Sequence, residues 1–113
     1  MTVPIEESWM HQMRKLAPLI EKTEYEVVKC DAEVKKLLAT SKLKALSNGV
    51  KTTSAQETWA ESGGELYEAR LRVGVAKGAL AALRVNLKAL EVGFEEWRSK
   101  MVNEREERKR YGA

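Results

Sequence analysis

The feature that most constrains this chain is an apolar series, spaced in alternating steps of three and four, on what must be one long helix. Its members are Leu66, Ala69, Val73, Ala76, Leu80, Leu83, Leu87, Leu90, Phe94, Trp97 and Met101. An unbroken series of this kind predicts a coiled-coil seam. A second series lies on nearly the opposite face and consists of Leu71, Val75, Gly78, Ala82, Val85, Ala89 and Val92. A helix with two faces to bury belongs inside a bundle, so we expect the second face to be the interface of a homo-oligomer.

The partner for the first seam is an N-terminal arm with the same heptad spacing. Its seam positions are Trp9, Met13, Leu16, Ile20, Thr23, Val27, Cys30, Val34 and Leu37, with Leu38 and Leu46 extending the apolar face. Pro18 predicts a kink near Leu16 or Ala17, or two helices in sequence, and the unbroken register favours the kink. Thr23 and Cys30 are weak seam residues. Either they set the register, or they face small residues on the other arm.

Residues 48–64 predict an elbow between the arms. Asn48 or Gly49 is suited to a left-handed C-cap. Thr52, Thr53 and Ser54 each offer an N-cap, and Ser54 with Glu57 has the spacing of a capping box for a short helix over 55–61. The predicted fold is all-α: an elongated antiparallel helical hairpin that forms a single domain and assembles into an oligomeric helical bundle or coiled coil. Its parts are a first arm at 5–47, the elbow at 48–64, a second arm at 65–106 that would span roughly 60 Å, and a basic tail at 107–113.

Composition excludes several classes of function. One histidine, His11, and one cysteine, Cys30, provide no spacing for a metal site, and Cys30 falls at an apolar seam position typical of a small core residue. No phosphate-binding loop or nucleophile motif is present, so we expect neither an enzyme, nor a cofactor, nor a small-molecule substrate. The first 20 residues carry charges where a signal peptide needs an apolar core, and no run is apolar enough to span a membrane. We therefore expect a soluble cytoplasmic protein.

Basic residues concentrate at two places. The segment from Lys29 to Lys51 contains six lysines and only two acidic residues, Asp31 and Glu33, which makes the elbow end basic. The candidate phosphate contacts there are Lys35, Lys36, Lys42, Lys44 and Lys51. Each lysine alone is explained by solubility, but an oligomer would repeat the whole group as a larger positive surface.

The C-terminal stretch is the second basic place. Arg105, Arg108, Lys109, Arg110 and Tyr111 would contact the backbone and a base of a nucleic acid, and Trp9 is a further candidate for stacking. The competing interpretation is a solvated helix end, held by ion pairs Glu104–Arg108 and Glu106–Arg110 and by cations at the helix C-terminus.

About half of the chain, from Ser54 to Arg105, resembles a family of small bacteriophage helical proteins. The resemblance rests on SAQE at 54–57, on Tyr67-Glu68-Ala69 and on FEEWRS at 94–99. Members of this family tend to be encoded among recombination and single-strand-binding genes. Length, helical pattern and basic balance also resemble recombination mediators of the UvsY kind, which bind single-stranded DNA as oligomers and help to load a recombinase. Neither resemblance offers a counterpart for Gly63-Gly64.

Together these observations predict a non-enzymatic phage accessory protein for DNA recombination or replication. It would bind single-stranded DNA, a recombinase or a single-strand-binding protein as a homo-oligomer in the host cytoplasm. Two alternatives stay open: an adaptor or inhibitor that docks a helix face on another protein without binding DNA, and a structural coiled-coil spacer.

Overall fold

Three helices make up the described part of the chain. The structure, a computed structural model, describes the backbone of residues 5–111 and the side chains of residues 7–111. Helix α1 spans Ile5–Ser47, α2 spans Thr53–Glu61 and α3 spans Gly64–Arg110, and no strand occurs among these residues. The predicted all-α helical hairpin with a short elbow helix is therefore confirmed. Helix α3 also includes residues 107–110, which the sequence analysis assigned to a tail.

Helix α1 is a single helix of 43 residues that passes through Pro18. The alternative of two successive helices is therefore wrong, although a proline removes one backbone hydrogen bond and crowds the preceding turn. A kink near Leu16 or Ala17 stays a prediction. The seam residues on both sides of the proline share one register, and tertiary packing of such a face provides most of the stability of a helix in a protein.

The chain divides into two compact units. The elbow unit comprises residues 21–81, and the terminal unit comprises the described residues up to 20 and from 82 onward. In the elbow unit Leu66, Ala69 and Leu80 of α3 are buried, with Cys30 and Ala45 of α1 and Ala60 of α2. In the terminal unit every seam position of α3, from Leu83 to Met101, is half-buried. The burial pattern thus repeats the predicted first seam along all of α3.

The end of α1 is closed by a Schellman motif centred on Gly49. The Val50 N–H donates to the Ala45 carbonyl at 3.0 Å and the Gly49 N–H donates to the Leu46 carbonyl at 3.1 Å, while Gly49 takes a φ of +87°. Only glycine adopts this left-handed conformation without steric cost. The motif brings Val50 beside Ala45, which is fully buried. Leu46, the next residue of α1, is 52% exposed, so its predicted place on the apolar face is wrong.

Thr52, one of the three predicted candidates, is the N-cap of α2, and the helix begins at Thr53 rather than at the predicted residue 55. Thr52 has an extended backbone, and its hydroxyl accepts a hydrogen bond of 3.2 Å from the Ala55 N–H. Ser54 is inside the helix, where its carbonyl accepts from the Thr58 hydroxyl at 3.1 Å. The predicted Ser54–Glu57 capping box is therefore wrong, because Glu57 pairs with Lys42 of α1 at 3.6 Å instead.

Ion pairs between helices hold the elbow unit together. The Arg70 guanidinium donates to both carboxylate oxygens of Glu61, at 2.8 and 3.0 Å, across the Ser62-Gly63 junction between α2 and α3. Arg72 of α3 lies 3.9 Å from Glu33 of α1. These contacts join the start of α3 to both preceding helices.

Candidate nucleic-acid and oligomer interfaces

The elbow lysines are the first candidate nucleic-acid surface, and we use this name for Lys35, Lys36, Lys42, Lys44 and Lys51. Lys42 is half-buried and committed to Glu57 at 3.6 Å. The other four are exposed, and none of them forms an ion pair with any residue that the structure describes. The structure therefore leaves four of the five ammonium groups available for an anion.

The helical phase divides the elbow lysines between two sides of α1. Lys35 and Lys42 are seven residues apart and share one side, whereas Lys36 lies one residue on and about 100° further around the helix. Lys44 lies eight residues after Lys36 and about 80° further around the helix, so it lies opposite Lys35. Lys51 follows the Schellman turn, outside α1. The elbow is therefore basic on more than one side, without a single defined pocket.

The tail cluster, which we define as Arg105, Arg108, Lys109, Arg110 and Tyr111, is exposed throughout. The predicted pairs Glu104–Arg108 and Glu106–Arg110 do not form ion pairs in this described segment. Helix α3 continues through Arg110, so three cations lie in its last turn. There their positive charge interacts favourably with the negative end of the helix dipole. The cluster is thus a helix end with its cationic groups in water, which both interpretations of the sequence allow.

Trp9, the further candidate for stacking on a base, packs against α3. A Cβ built on Gly93 would lie 2.8 Å from Cη2 and 2.9 Å from Cζ3 of the Trp9 indole, so the ring rests on the backbone of α3. The ring is half-buried in this seam contact of the terminal unit. Gly93 provides the room for the indole, and the stacking role of Trp9 stays a prediction.

Two other aromatic residues near the end of α3 pack on each other. The ring centroids of Phe94 and Trp97 are 6.1 Å apart, and the Arg98 guanidinium lies 5.7 Å from the Phe94 centroid. Arg98 is also 3.6 Å from Glu95. Because Phe94 and Trp97 are seam residues and Arg98 is engaged with its neighbours, this group stabilises the packing of the helix and leaves no free cation there.

The predicted oligomer interface lies on the surface of α3. We use the name outer stripe for Leu71, Val75, Gly78, Ala82, Val85, Ala89 and Val92, and all seven residues are exposed. Val75 is 75% exposed and Val85 is 67% exposed, values that are unusual for apolar side chains in one row. A Cβ added at Gly74 or Gly78 would meet no atom within 4 Å, so space for a close neighbour remains beside the helix.

Sequence reasoning missed an exposed aromatic residue on α1. Tyr25 is 66% exposed and lies between Lys22 and Lys29, three residues after the first and four before the second. This spacing places the three side chains on one helix face. The signal in the sequence is the helical spacing of Lys22, Tyr25 and Lys29.

The described residues hold few features of a metal or buried polar site. No three His, Cys, Asp or Glu side chains among them come together as metal ligands, and none of their buried polar side-chain atoms lacks a hydrogen-bond partner. Cys30 is buried with a free thiol, and His11 is exposed. Glu61 and Arg70 perturb each other's ionisation. Their mutual hydrogen bonds and charges lower the pKa of Glu61 and raise the pKa of Arg70.

The chain was compared with known protein families, with curated proteins and with solved structures. No match is found in any of the three. The phage resemblance therefore rests on the residues quoted above, and the function rests on the surfaces of the chain itself. Among the described helices, none has the length and apolar character needed to cross a membrane.

Proposed function

We propose that this chain is a non-enzymatic accessory protein of phage DNA recombination or replication that binds single-stranded DNA as a homo-oligomer. The observation that carries the proposal is the group of four exposed, unpaired lysines at the elbow: Lys35, Lys36, Lys44 and Lys51. An ammonium group without a carboxylate partner is ready to contact a phosphate, and each contact releases a counterion. The protein would act in the host cytoplasm.

Self-association makes a modest charge effective. A formal charge of +3 on one chain supports only weak contact with a polyanion. If the outer stripe joins several copies, the elbow lysines are repeated in each copy, and later contacts become intramolecular. A recombinase or a single-strand-binding protein is then a natural second partner, because such proteins occupy the same strand.

The test is binding of fluorescently labelled oligothymidylate, measured by anisotropy across a salt series. We expect binding at low salt and an affinity that falls with salt by a slope of about 0.7 for each phosphate contact. Replacement of Lys35, Lys36, Lys44 and Lys51 by Gln should weaken binding and reduce this slope. No binding at low salt contradicts the DNA proposal, and a slope near zero contradicts the phosphate mechanism.

A matched control separates local from general charge. The exposed residues Lys15, Lys77, Lys88 and Lys100 lie away from the elbow, and their replacement by Gln removes the same number of charges. We expect this variant to retain most of the affinity. Equal loss in both variants would mean that net charge alone attracts the DNA, and would overturn the assignment to the elbow.

The second candidate function is a protein-interaction adaptor or inhibitor, which the exposed outer stripe favours. An apolar row such as Val75, Ala82 and Val85 is suited to docking on another helix. In that case alanine replacement of the basic clusters leaves the activity unchanged, whereas charged replacements on the outer stripe abolish it. The DNA proposal predicts that the basic clusters are required.

A further inference from the structure

A basic and aromatic strip runs along the outer face of α1 in the elbow unit. The α1 strip consists of Lys22, Tyr25, Lys29, Ala32 and Lys36, which follow one another in steps of three and four. All five are exposed. From Lys22 to Lys36 the strip covers about 21 Å of helix at ~1.5 Å per residue. It is therefore a continuous surface, long enough for a segment of an extended strand.

The lysines of the α1 strip have no acidic partner in the described chain. Glu33 lies four residues after Lys29, which is the less favourable order for an ion pair along one helix. Instead Glu33 pairs with Arg72 of α3 at 3.9 Å. Because α3 draws this carboxylate to the hairpin contact, the Lys29 ammonium group is left to the solvent.

Tyr25 provides a free ring between two cations. Its side chain is 66% exposed and makes no hydrogen bond or ring contact with the residues that the structure describes. Side chains three and four residues apart on a helix are neighbours. Lys22 and Lys29 therefore flank the ring on both sides along the helix axis. Ala32, which follows Lys29 on the strip, has only a small side chain.

We infer that the α1 strip is the surface on which single-stranded DNA lies, with Tyr25 stacking on a base and Lys22, Lys29 and Lys36 contacting phosphates. This assignment rests on the proposed DNA binding and names its binding surface. Single-strand binding combines cations that follow the backbone with aromatic rings that accept any base. Tyr25 is the more exposed candidate for this role, because Trp9 packs on Gly93 and is half-buried.

Charge and composition favour a nucleic acid over a lipid surface. A helix that lies in a membrane interface separates a broad apolar face from its basic face. In the α1 strip the single aromatic residue lies between two lysines, and a small alanine lies between the second and the third lysine. Alternation of cations with a stacking ring matches a strand that presents phosphates and bases in turn.

The experiment compares variants of Tyr25 and of the two strip lysines outside the elbow group. Tyr25→Ala should weaken binding of oligothymidylate about tenfold at every salt concentration, because stacking carries no counterion term, whereas Tyr25→Phe should bind as the wild type. Lys22→Gln with Lys29→Gln should reduce the salt slope by about 1.4. Circular dichroism of each variant confirms that the helices remain.

The matched controls are Tyr67→Ala and the pair Lys15→Gln with Lys77→Gln. Tyr67 is 62% exposed in the same unit but lies on α3, and Lys15 and Lys77 are exposed outside the strip. We expect these controls to retain the affinity and slope of the wild type. Equal effects in strip and control variants would overturn the assignment of the strip.

The outcomes distinguish the strip from the proposed function. If the wild type binds DNA while Tyr25→Ala and the strip lysine variant bind equally well, the strip is wrong and DNA binding stands. If the wild type binds no oligothymidylate at low salt, both fail. Sedimentation with vesicles of phosphatidylcholine and phosphatidylserine forms a second arm, and strip-dependent binding to vesicles without binding to DNA would overturn the assignment in favour of a membrane surface.

Discussion

The indole ring of Trp9 lies on the backbone of Gly93, so close that a Cβ at Gly93 would be 2.8 Å from Cη2 of the ring. This contact joins α1 to α3 in the terminal unit. Glycine costs about 1 kcal/mol of helix stability relative to alanine in the middle of a helix. At Gly93 that cost is offset by the packing of a large aromatic side chain, which no residue with a Cβ would permit in this position.

The first prediction concerns this contact and uses a double-mutant cycle. In the wild type, Gly93→Ala should leave the free energy of unfolding unchanged or lower it, because the gain in helix propensity is opposed by about 1 to 3 kcal/mol of overpacking. In a Trp9→Ala background the same replacement should stabilise the chain by about 1 kcal/mol. Chemical denaturation measures all four proteins. An identical effect of Gly93→Ala in both backgrounds would show that the two residues are not coupled.

The cap of α2 gives a second prediction. The Thr52 hydroxyl accepts from the Ala55 N–H, so Thr52→Ala should lower the free energy of unfolding by about 1 kcal/mol. Ser54→Ala is the matched control, since Ser54 lies inside the helix and its hydroxyl caps nothing. Its effect should stay within about 0.5 kcal/mol. A larger loss at Ser54 than at Thr52 in urea denaturation would restore the capping box that the structure rejects.

The third prediction is a dependence of stability on pH. Hydrogen bonds from Arg70, and its charge, hold the pKa of Glu61 below the ordinary value. A carboxyl group whose pKa is lower in the folded state stabilises the fold above its unfolded pKa of about 4.3, and this contribution is lost as pH falls through the folded pKa. Glu61→Gln should therefore lower the melting temperature slightly at neutral pH and have no effect in strong acid.

The control for this prediction is Glu68→Gln, which removes an exposed carboxylate that has no ion-pair partner in the described chain. We expect no such pH-dependent difference for it. Because Glu61 and Arg70 are both exposed, the effect of Glu61→Gln should be small and should shrink with added salt. A difference from the wild type that persists in strong acid would mean that the ion pair is not its cause.

Periodicity predicted the long-range features of the fold. The alternating steps from Leu66 to Met101 gave the buried face of α3 correctly, because a seam fixes which side of a helix meets its partner over many turns. The same reasoning failed at the elbow. There Ala45 is buried while Leu46, the next residue of α1, is exposed, and Thr52 rather than Ser54 caps α2. Several adjacent threonines and serines satisfy the same cap pattern, so backbone geometry decides among them.

The sequence predicted which residues make up the candidate surfaces, but not the ion pairs that these residues form. A count of lysines identified a basic elbow, but it could not show that Lys42 is committed to Glu57 or that Glu33 is drawn to Arg72. Those pairings depend on which helices become neighbours. The sequence allowed Trp9 both a seam position and a stacking role, and its contact with Gly93 shows that it occupies the seam position.

The central claim is that the chain acts as an oligomer joined through the outer stripe, and native mass spectrometry at micromolar concentration tests it most directly. We expect the wild type to be an oligomer. Val75→Glu with Val85→Glu should yield a monomer of unchanged helix content, because both side chains are exposed in the single chain. Val28→Glu, at a similarly exposed valine of α1, is the control and should leave the oligomer intact. A wild-type protein that is monomeric at this concentration would contradict the account.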